Sequence, residues 1–477
     1  MTGGRIKMGA STVCAALLLA LGGCSSRPVS NRDAGSFRIQ DGATVDGPPG
    51  DATGGRLFPP PFTDTVRTGA PTVTARVFAS MGGAGARWLR AGNDGSLFVG
   101  VSTNEPTPIF YDAGGPSAQW SNLSCFNCVV HLDKQANTSW VVEYDSDIDS
   151  PAPALLPDGA LVLASLPTTR GVITPAAAVV WRLDADGTKR WSVNFGSLGP
   201  YFGGLAPTAE GDVILVGTAF QDIDLDPGPA TVVREEPGPF VMKLAGATGE
   251  LLWVRTPTDA PWTGLSSLTG PDRVMVRADG RIVVGASATA DYSAETGQSG
   301  AMMLLAADGT ADAATWVRRF SGPLSGWTVL PDQDVLASTL VSYLMTGPDY
   351  LRLIDGTTGA IRNSYAIDPS YDSFAAGPTR VVGALFDPVS GHRVLDWWTP
   401  GGTFQGGLQF VFSPGTPGVG VNLVGGEVAI GADGHVIMAV TIQAPAGTTL
   451  DVDPGPGVST FVTPRAGNTL AILELAP

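Results

Sequence analysis

The stretch Val179–Phe195, VVWRLDADGTKRWSVNF, consists of two apolar runs joined by a polar Asp-Gly turn, with a Trp just past the turn. Two short apolar runs around such a turn predict an antiparallel hairpin, because Asp and Gly tolerate the backbone angles that tight reversals demand. Nearly the same stretch recurs. It appears as CVVHLDKQANTSW ending at Trp140, FVMKLAGATGELLW ending at Trp253 and AMMLLAADGTADAATW ending at Trp316. Two later copies fade: YLRLIDGTTGAI puts Ile361 in the Trp position, and VLDWWTPGGTF puts Phe404 there.

A second element precedes each copy, again a turn followed by an apolar run. It is seen at Asn93-Asp94-Gly95 with SLFVGVS, Pro157-Asp158-Gly159 with ALVLAS, Glu210-Gly211-Asp212 with VILVGT, and Ala278-Asp279-Gly280 with RIVVGAS. Pro331-Asp332-Gln333, Gly377-Pro378-Thr379 and Ala432-Asp433-Gly434 open three more copies, the sixth without its Asp. Six units are complete, and the seventh runs into TLAILELAP and stops before its last strand. The missing strand stands at the other end of the domain, where TVTARVFASMG (72–82) aligns with KRWSVNFGSLG and ATWVRRFSGPL. Repeats of one small sheet each, with the first strand completing the last sheet, predict an all-β, seven-bladed β-propeller over residues 72–477. Composition agrees. Of 477 residues 43% are hydrophobic and 15% charged, with 63 Gly and 38 Pro, which suits many short strands and turns.

The strand, Asp/Gly turn, Trp core of KLAGATGELLW and RLDADGTKRW resembles PQQ-like and related bacterial secreted propeller repeats, and the resemblance covers most of residues 72–477. It implies the fold. Function varies across such propellers, which include quinone dehydrogenases, outer-membrane assembly lipoproteins and uncharacterised surface proteins. For the Trp residues, packing between blades is the expected role.

The N-terminus reads as a targeting segment. Arg5 and Lys7 precede the apolar run Val13–Leu21, too short for a stable membrane span, and the run ends in Leu21-Gly22-Gly23-Cys24. This resembles the bacterial lipoprotein signal, and the resemblance implies that residues 1–23 are removed, that Cys24 is acylated, and that Ser25 and Ser26 direct the protein to the outer membrane. Residues 24–71, with Gly47-Pro48-Pro49-Gly50 and Pro59-Pro60-Pro61, then form a flexible tether between lipid and propeller.

Candidate chemistry is sparse. The three His (His131, His392, His435) fall in different units without metal-site spacing, and the sequence holds no nucleophile elbow, Walker A loop or complete dinucleotide fingerprint. Alternating acids occur in DIDLDPGP (Asp222, Asp224, Asp226) and LDVDPGPG (Asp451, Asp453), where a strand would present them on one face to a hard cation; Asp145, Asp147 and Asp149 are similarly spaced. They are candidate calcium ligands or solvated turn residues, and calcium is the only cofactor in view. In an exported chain Cys125 and Cys128 are expected as a disulfide. A formal charge of −16, more acidic still after loss of Arg5 and Lys7, argues against nucleic acid as a partner.

Two functions remain open. One is a non-enzymatic, membrane-tethered envelope propeller that binds a protein or a glycan. The other is an envelope enzyme with its active site assembled in the central channel. Carboxylates from different blades converging at the channel mouth would favour the enzyme, since a scaffold has no reason to converge them.

Overall fold

A computed structural model describes the strands between Thr74 and Ala476 and the turns joining them. Outside the described residues lie 1–73 and parts of the loops, among them 104–109, 112–117, 120–126, 144–150, 166–177, 257–270, 288–299, 341–348, 415–421 and 452–459. Every described residue falls in the unit Gly55–Pro477.

The protein is a seven-bladed β-propeller. Blade 1 consists of Ala84–Ala91, Leu97–Thr103, Asn127–Leu132 and Thr138–Glu143, all antiparallel, numbered from the axis outward. Blade 2 is Ala154–Leu155, Leu161–Ser165, Val179–Leu183 and Lys189–Asn194, and blade 3 is Tyr201–Pro207, Val213–Ala219, Gly238–Leu244 and Leu251–Arg255. Blades 4, 5 and 6 repeat the order from Pro271–Val276, Leu324–Val329 and Tyr371–Ala376. Blade 7 contributes Asn422–Ile430, Val436–Ala444 and Gly467–Ala476, and its outer strand is Thr74–Gly82, paired from Thr74↔Ala476 to Gly82↔Thr469. The first strand therefore closes the last blade, as the repeat predicts. A hairpin from blade 1, Phe110–Tyr111 with Ala118–Gln119, then covers the outer edge of that strand through Met81↔Tyr111. The seam is covered rather than left as an open edge.

Period-two alternation explains the core. In the second strand of blade 2, Leu161 and Leu163 pack toward blade 1 against Trp88 and Phe98, while Val162 and Ala164 pack toward blade 3 against Val213 and Leu215. Such strands are buried on both faces, so they read as continuous apolar runs. Seven buried clusters result, one at each blade junction, including blade 7 with blade 1 (Ile437, Ala439 and Ile472 against Leu97, Val99 and Val130).

The recurring turn residues have local work. In five blades the turn Asp takes the backbone N–H two residues on, as Asp94 from Ser96, Asp158 from Ala160, Asp279 from Arg281, Asp332 from Asp334 and Asp433 from His435. These are Asx turns. The Trp residues join each blade to the next. Trp140, Trp191 and Trp316 donate their indole N–H to Ala185, Gly246 and Gly356 in the following blade's outer turn, at 2.9, 2.9 and 3.1 Å. Each ring also lies on a glycine of that turn: a Cβ at Gly187, Gly249, Gly309 or Gly359 would approach Trp140, Trp191, Trp253 or Trp316 to 2.8 Å or less, and all four glycines have φ between +68° and +83°. The motif is a clasp.

Register corrects the fading copies. Trp191 pairs with Arg182 and Trp253 with Lys243, and the equivalent partners in blades 5 and 6 are Asn363, opposite Leu353, and Gly406, opposite Trp397. Ile361 and Phe404 sit two residues earlier, opposite Ile354 and Trp398. In blade 5 Leu353 takes over the clasp by packing on Gly402 of blade 6.

Candidate functional site

The first strands of the blades stand side by side around the axis, with contacts from Ala154–Leu155 to Tyr201–Pro207, on to Pro271–Val276, and from Leu324–Val329 through Tyr371–Ala376 and Asn422–Ile430 to Ala84–Ala91. Six of the seven carry a β-bulge, five of them four residues before the strand's last residue and that of blade 7 one residue earlier still. The extra residues are Arg87, Gly203, Asp272, Ser325, Asp372 and Gly425 in blades 1, 3, 4, 5, 6 and 7. The two-residue strand Ala154–Leu155 of blade 2 has none. A bulge turns a side chain away from the regular pleat, which is why bulges recur beside functional sites.

Charged side chains meet just past this ring. Arg273 of blade 4 donates to the Asp372 carbonyl of blade 6 at 3.4 Å, although blade 5 separates the two. Contact between non-neighbouring blades can only be made across the axis. Glu427 of blade 7 feels the charges of both Arg273 and Arg90, the latter from blade 1, and its carboxylate accepts a hydrogen bond from Ser373 at 3.2 Å. Arg90 donates to Pro153 at the start of blade 2's first strand and to the Leu89 carbonyl, at 3.1 and 2.9 Å. Arg393, from the third strand of blade 6, reaches Asp372 at 2.6 Å, its side chain 2% exposed and that of Asp372 46% exposed. It runs past Gly426 of blade 7, where a Cβ would lie 3.1 Å from its Nε.

Burial governs the ionisation of this group. It pushes the carboxyl of Glu427 up, against the pull of Arg273 and Arg90 and with a further push from Asp372. It likewise raises Asp372 against the attraction of Arg393. The Arg90 guanidinium is lowered by the same burial, with Glu427 opposing. Asp372 keeps one buried oxygen, Oδ1, without a partner, and so does the neighbouring bulge residue Ser325 at Oγ. The arrangement can hold a polar ligand by both signs of charge, and it includes two carboxyls whose ionised form burial disfavours.

None of these residues was a candidate from sequence. Asp372 and Glu427 stand alone in apolar strands, and only their being polar where a core strand should be apolar could have drawn attention to them. The sequence candidates lie elsewhere. Asp224 and Asp451 fall in small added sheets, Ile223–Asp224 with Val233–Arg234 in blade 3, and Thr449–Asp451 between Ser413–Pro414 and Thr460–Val462 beside blade 7. Asp224 Oδ1 accepts the N–H groups of Asp226 and Val232 at 3.0 and 2.8 Å, and Asp226 Oδ1 that of Gly228 at 2.7 Å. Asp222, Asp453, Cys24, Cys125 and the acids 145–149 lie outside the described residues. Cys128 is buried and disulfide-bonded.

His131 stacks on Trp140 with centroids 5.1 Å apart and lies 4.5 Å from Phe98, as a core residue whose pKa burial lowers. His435 joins Asp433 and Glu474, with ligand atoms within 4.8 Å of one another. In the register of the closing strand Glu474 pairs with Arg76.

No family model matches the chain, and no curated protein matches it. Among solved structures it is similar to a streptogramin B lyase at 11% identity over 85% of this chain and 99% of that one, with a TM-score of 0.44. The C-terminal WD40 domain of Sif2 gives 11% identity, 86% and 100% coverage and 0.45, and the β-propeller domain of the Trilobed protease from Pyrococcus furiosus gives 11%, 75% and 91%, and 0.41. Likeness at this level carries no function, and the seven blades rest on the strand pairing itself.

Proposed function

We propose that this protein is a lipid-anchored cell-envelope binding protein, held by acylated Cys24 and a Pro/Gly-rich tether, whose propeller receives an envelope protein or glycan at its central channel. The observation that carries the channel is the meeting of Arg90, Arg273, Asp372 and Glu427 from four blades across the axis. A disc held only by its clasps and apolar junctions has no use for buried charge, which is costly unless paired. The Cys24 anchor and outer-membrane delivery rest on the Leu21-Gly22-Gly23-Cys24 signal, and kinship with PQQ-like propellers on the repeat. Crosslinking on intact cells, followed by purification of the tagged, lipidated protein and mass spectrometry, tests the reading. A recurrent envelope partner lost on deletion of the propeller, and retained when only the tether is shortened, supports it; recovery of the protein alone opposes it.

The same observation favours a second reading, an enzyme using Asp372 and Glu427 as acid and base. Both carboxyls are raised toward the range where proton transfer at neutral pH becomes efficient. Turnover that Glu427→Gln abolishes while binding persists would select it.

A further inference from the structure

The channel group is incomplete in a way that describes its ligand. Arg273 spends its five N–H donors on one described hydrogen bond, a long one of 3.4 Å to a backbone carbonyl. A guanidinium fork with donors to spare is matched by a planar carboxylate, which takes two of them side by side. In the blades that Arg273 reaches the deficit is reversed. Asp372 Oδ1 has no donor, its Oδ2 being held by Arg393 at 2.6 Å, and Glu427 receives a single described hydrogen bond, from Ser373. Ser325 Oγ, on the adjoining bulge, is also unpartnered. The two bulges lie together, since a Cβ on Gly326 would come within 3.1 Å of the Tyr371 carbonyl and 3.3 Å of the Asp372 carbonyl carbon.

Resting on the binding reading above, we propose that the channel takes a small organic carboxylate bearing O–H or N–H donors on the carbons beside it, the carboxylate on Arg273 and the donors on Asp372 Oδ1, Glu427 and Ser325. A bare anion would leave the acceptors of Asp372 and Glu427 unpaired, and a neutral polyol would leave the spare donors of Arg273 without a carboxylate; each omission strands polar groups. Hydroxy acids, amino acids and uronic acids share this chemistry, and the first choice of probes separates these sources.

The test is calorimetric titration of the intact propeller with lactate, propionate, alanine, glucuronate and glucose. Lactate and propionate differ only in the hydroxyl beside the carboxylate. At least one of lactate, alanine and glucuronate is expected to bind tenfold or more tightly than propionate and glucose, and which one wins names the source. Arg273→Met should remove binding. Ser325→Ala, which leaves the charges in place, should weaken it several-fold, and Asp433→Asn on the rim should leave it unchanged. Circular dichroism identifies any variant that has failed to fold, and Ser325→Ala then carries the comparison.

Equal binding of lactate and propionate, or binding that survives both Arg273→Met and Ser325→Ala, overturns the proposal. If none of the five probes binds but the cellular crosslinked partner is lost in Arg273→Met, the ligand class is wrong and the channel reading stands. If neither probes nor partner depend on Arg273, both fail.

Discussion

The outer turns and the inner ring of this propeller are built on opposite terms. At the rim, one device is copied from blade to blade: a Trp from each of the first four blades lies on a left-handed glycine of the next. Its polar groups are answered locally, by Asx turns and by ion pairs such as Arg281 with Asp312 and Arg362 with Asp355. Around the axis the backbone repeats, with a bulge at one register in five strands and one residue away in a sixth, while the side chains do not. Arginine, glycine, aspartate and serine occupy equivalent positions. Repetition at the rim secures the disc, and variety on a repeated inner backbone is where a propeller differentiates.

The sharpest way to break that contrast is at the rim. Gly359→Ala places a Cβ 2.6 Å from Trp316 and forces a side chain onto φ +68°, so strain and overpacking add. A loss of about 3 kcal/mol is expected in urea unfolding. Gly447→Ala is the control, having the same left-handed backbone (φ +74°) with nothing within 4 Å, and should lose only the strain. Equal losses would mean the Trp clasp contributes nothing.

A smaller effect is expected at Arg393→Met. It keeps most of the side-chain volume between blades 6 and 7 and removes the cation that holds Asp372. Since Asp372 is half exposed, channel water can answer part of its charge. About 2 kcal/mol should be lost, well under the cost of stranding a fully buried ion. Binding at the channel should fall further than stability does, because Asp372 loses its orientation.

The rim was legible and the channel was not, for a physical reason. Seven units, the closing strand 72–82 and the Trp packing all leave linear traces, since turn chemistry and strand alternation act within a few residues. Where those signals weakened, reading slipped by two: Ile361 and Phe404 are apolar residues near the right place, and only pairing puts Asn363 and Gly406 in the Trp register. The channel residues come together from positions 90, 273, 372 and 427, and no local rule links them. The acids that do cluster in sequence, Asp224 and Asp226, cluster because they cap their own loop.

Acid titration separates the two regions with the least perturbation. Two rim carboxylates are held well down: Asp312 lies at about 2 because Arg281 bonds it, and Asp355 at about 2 because Arg362 does, whereas burial raises Asp334 beside Asp355. With folded values below their ordinary 3.8, they add stability above that pH, and it is lost as pH falls toward 2. Glu427 and Asp372 are displaced the other way, chiefly by burial. Between their ordinary and raised values the folded state binds more protons than the unfolded one, so stability falls as pH rises through that window. The urea midpoint should therefore decline on acidification at the low end and decline on alkalinisation above the ordinary carboxylate range. Glu427→Gln should flatten only the upper slope and Arg281→Gln only the lower. A ligand carrying O–H or N–H donors to Asp372 and Glu427 should flatten the upper slope as well, by stabilising both carboxylates in the folded state. If Glu427→Gln leaves that slope unchanged, the buried carboxyl is not what the channel withholds from water, and the rim and the axis differ in sequence variety alone.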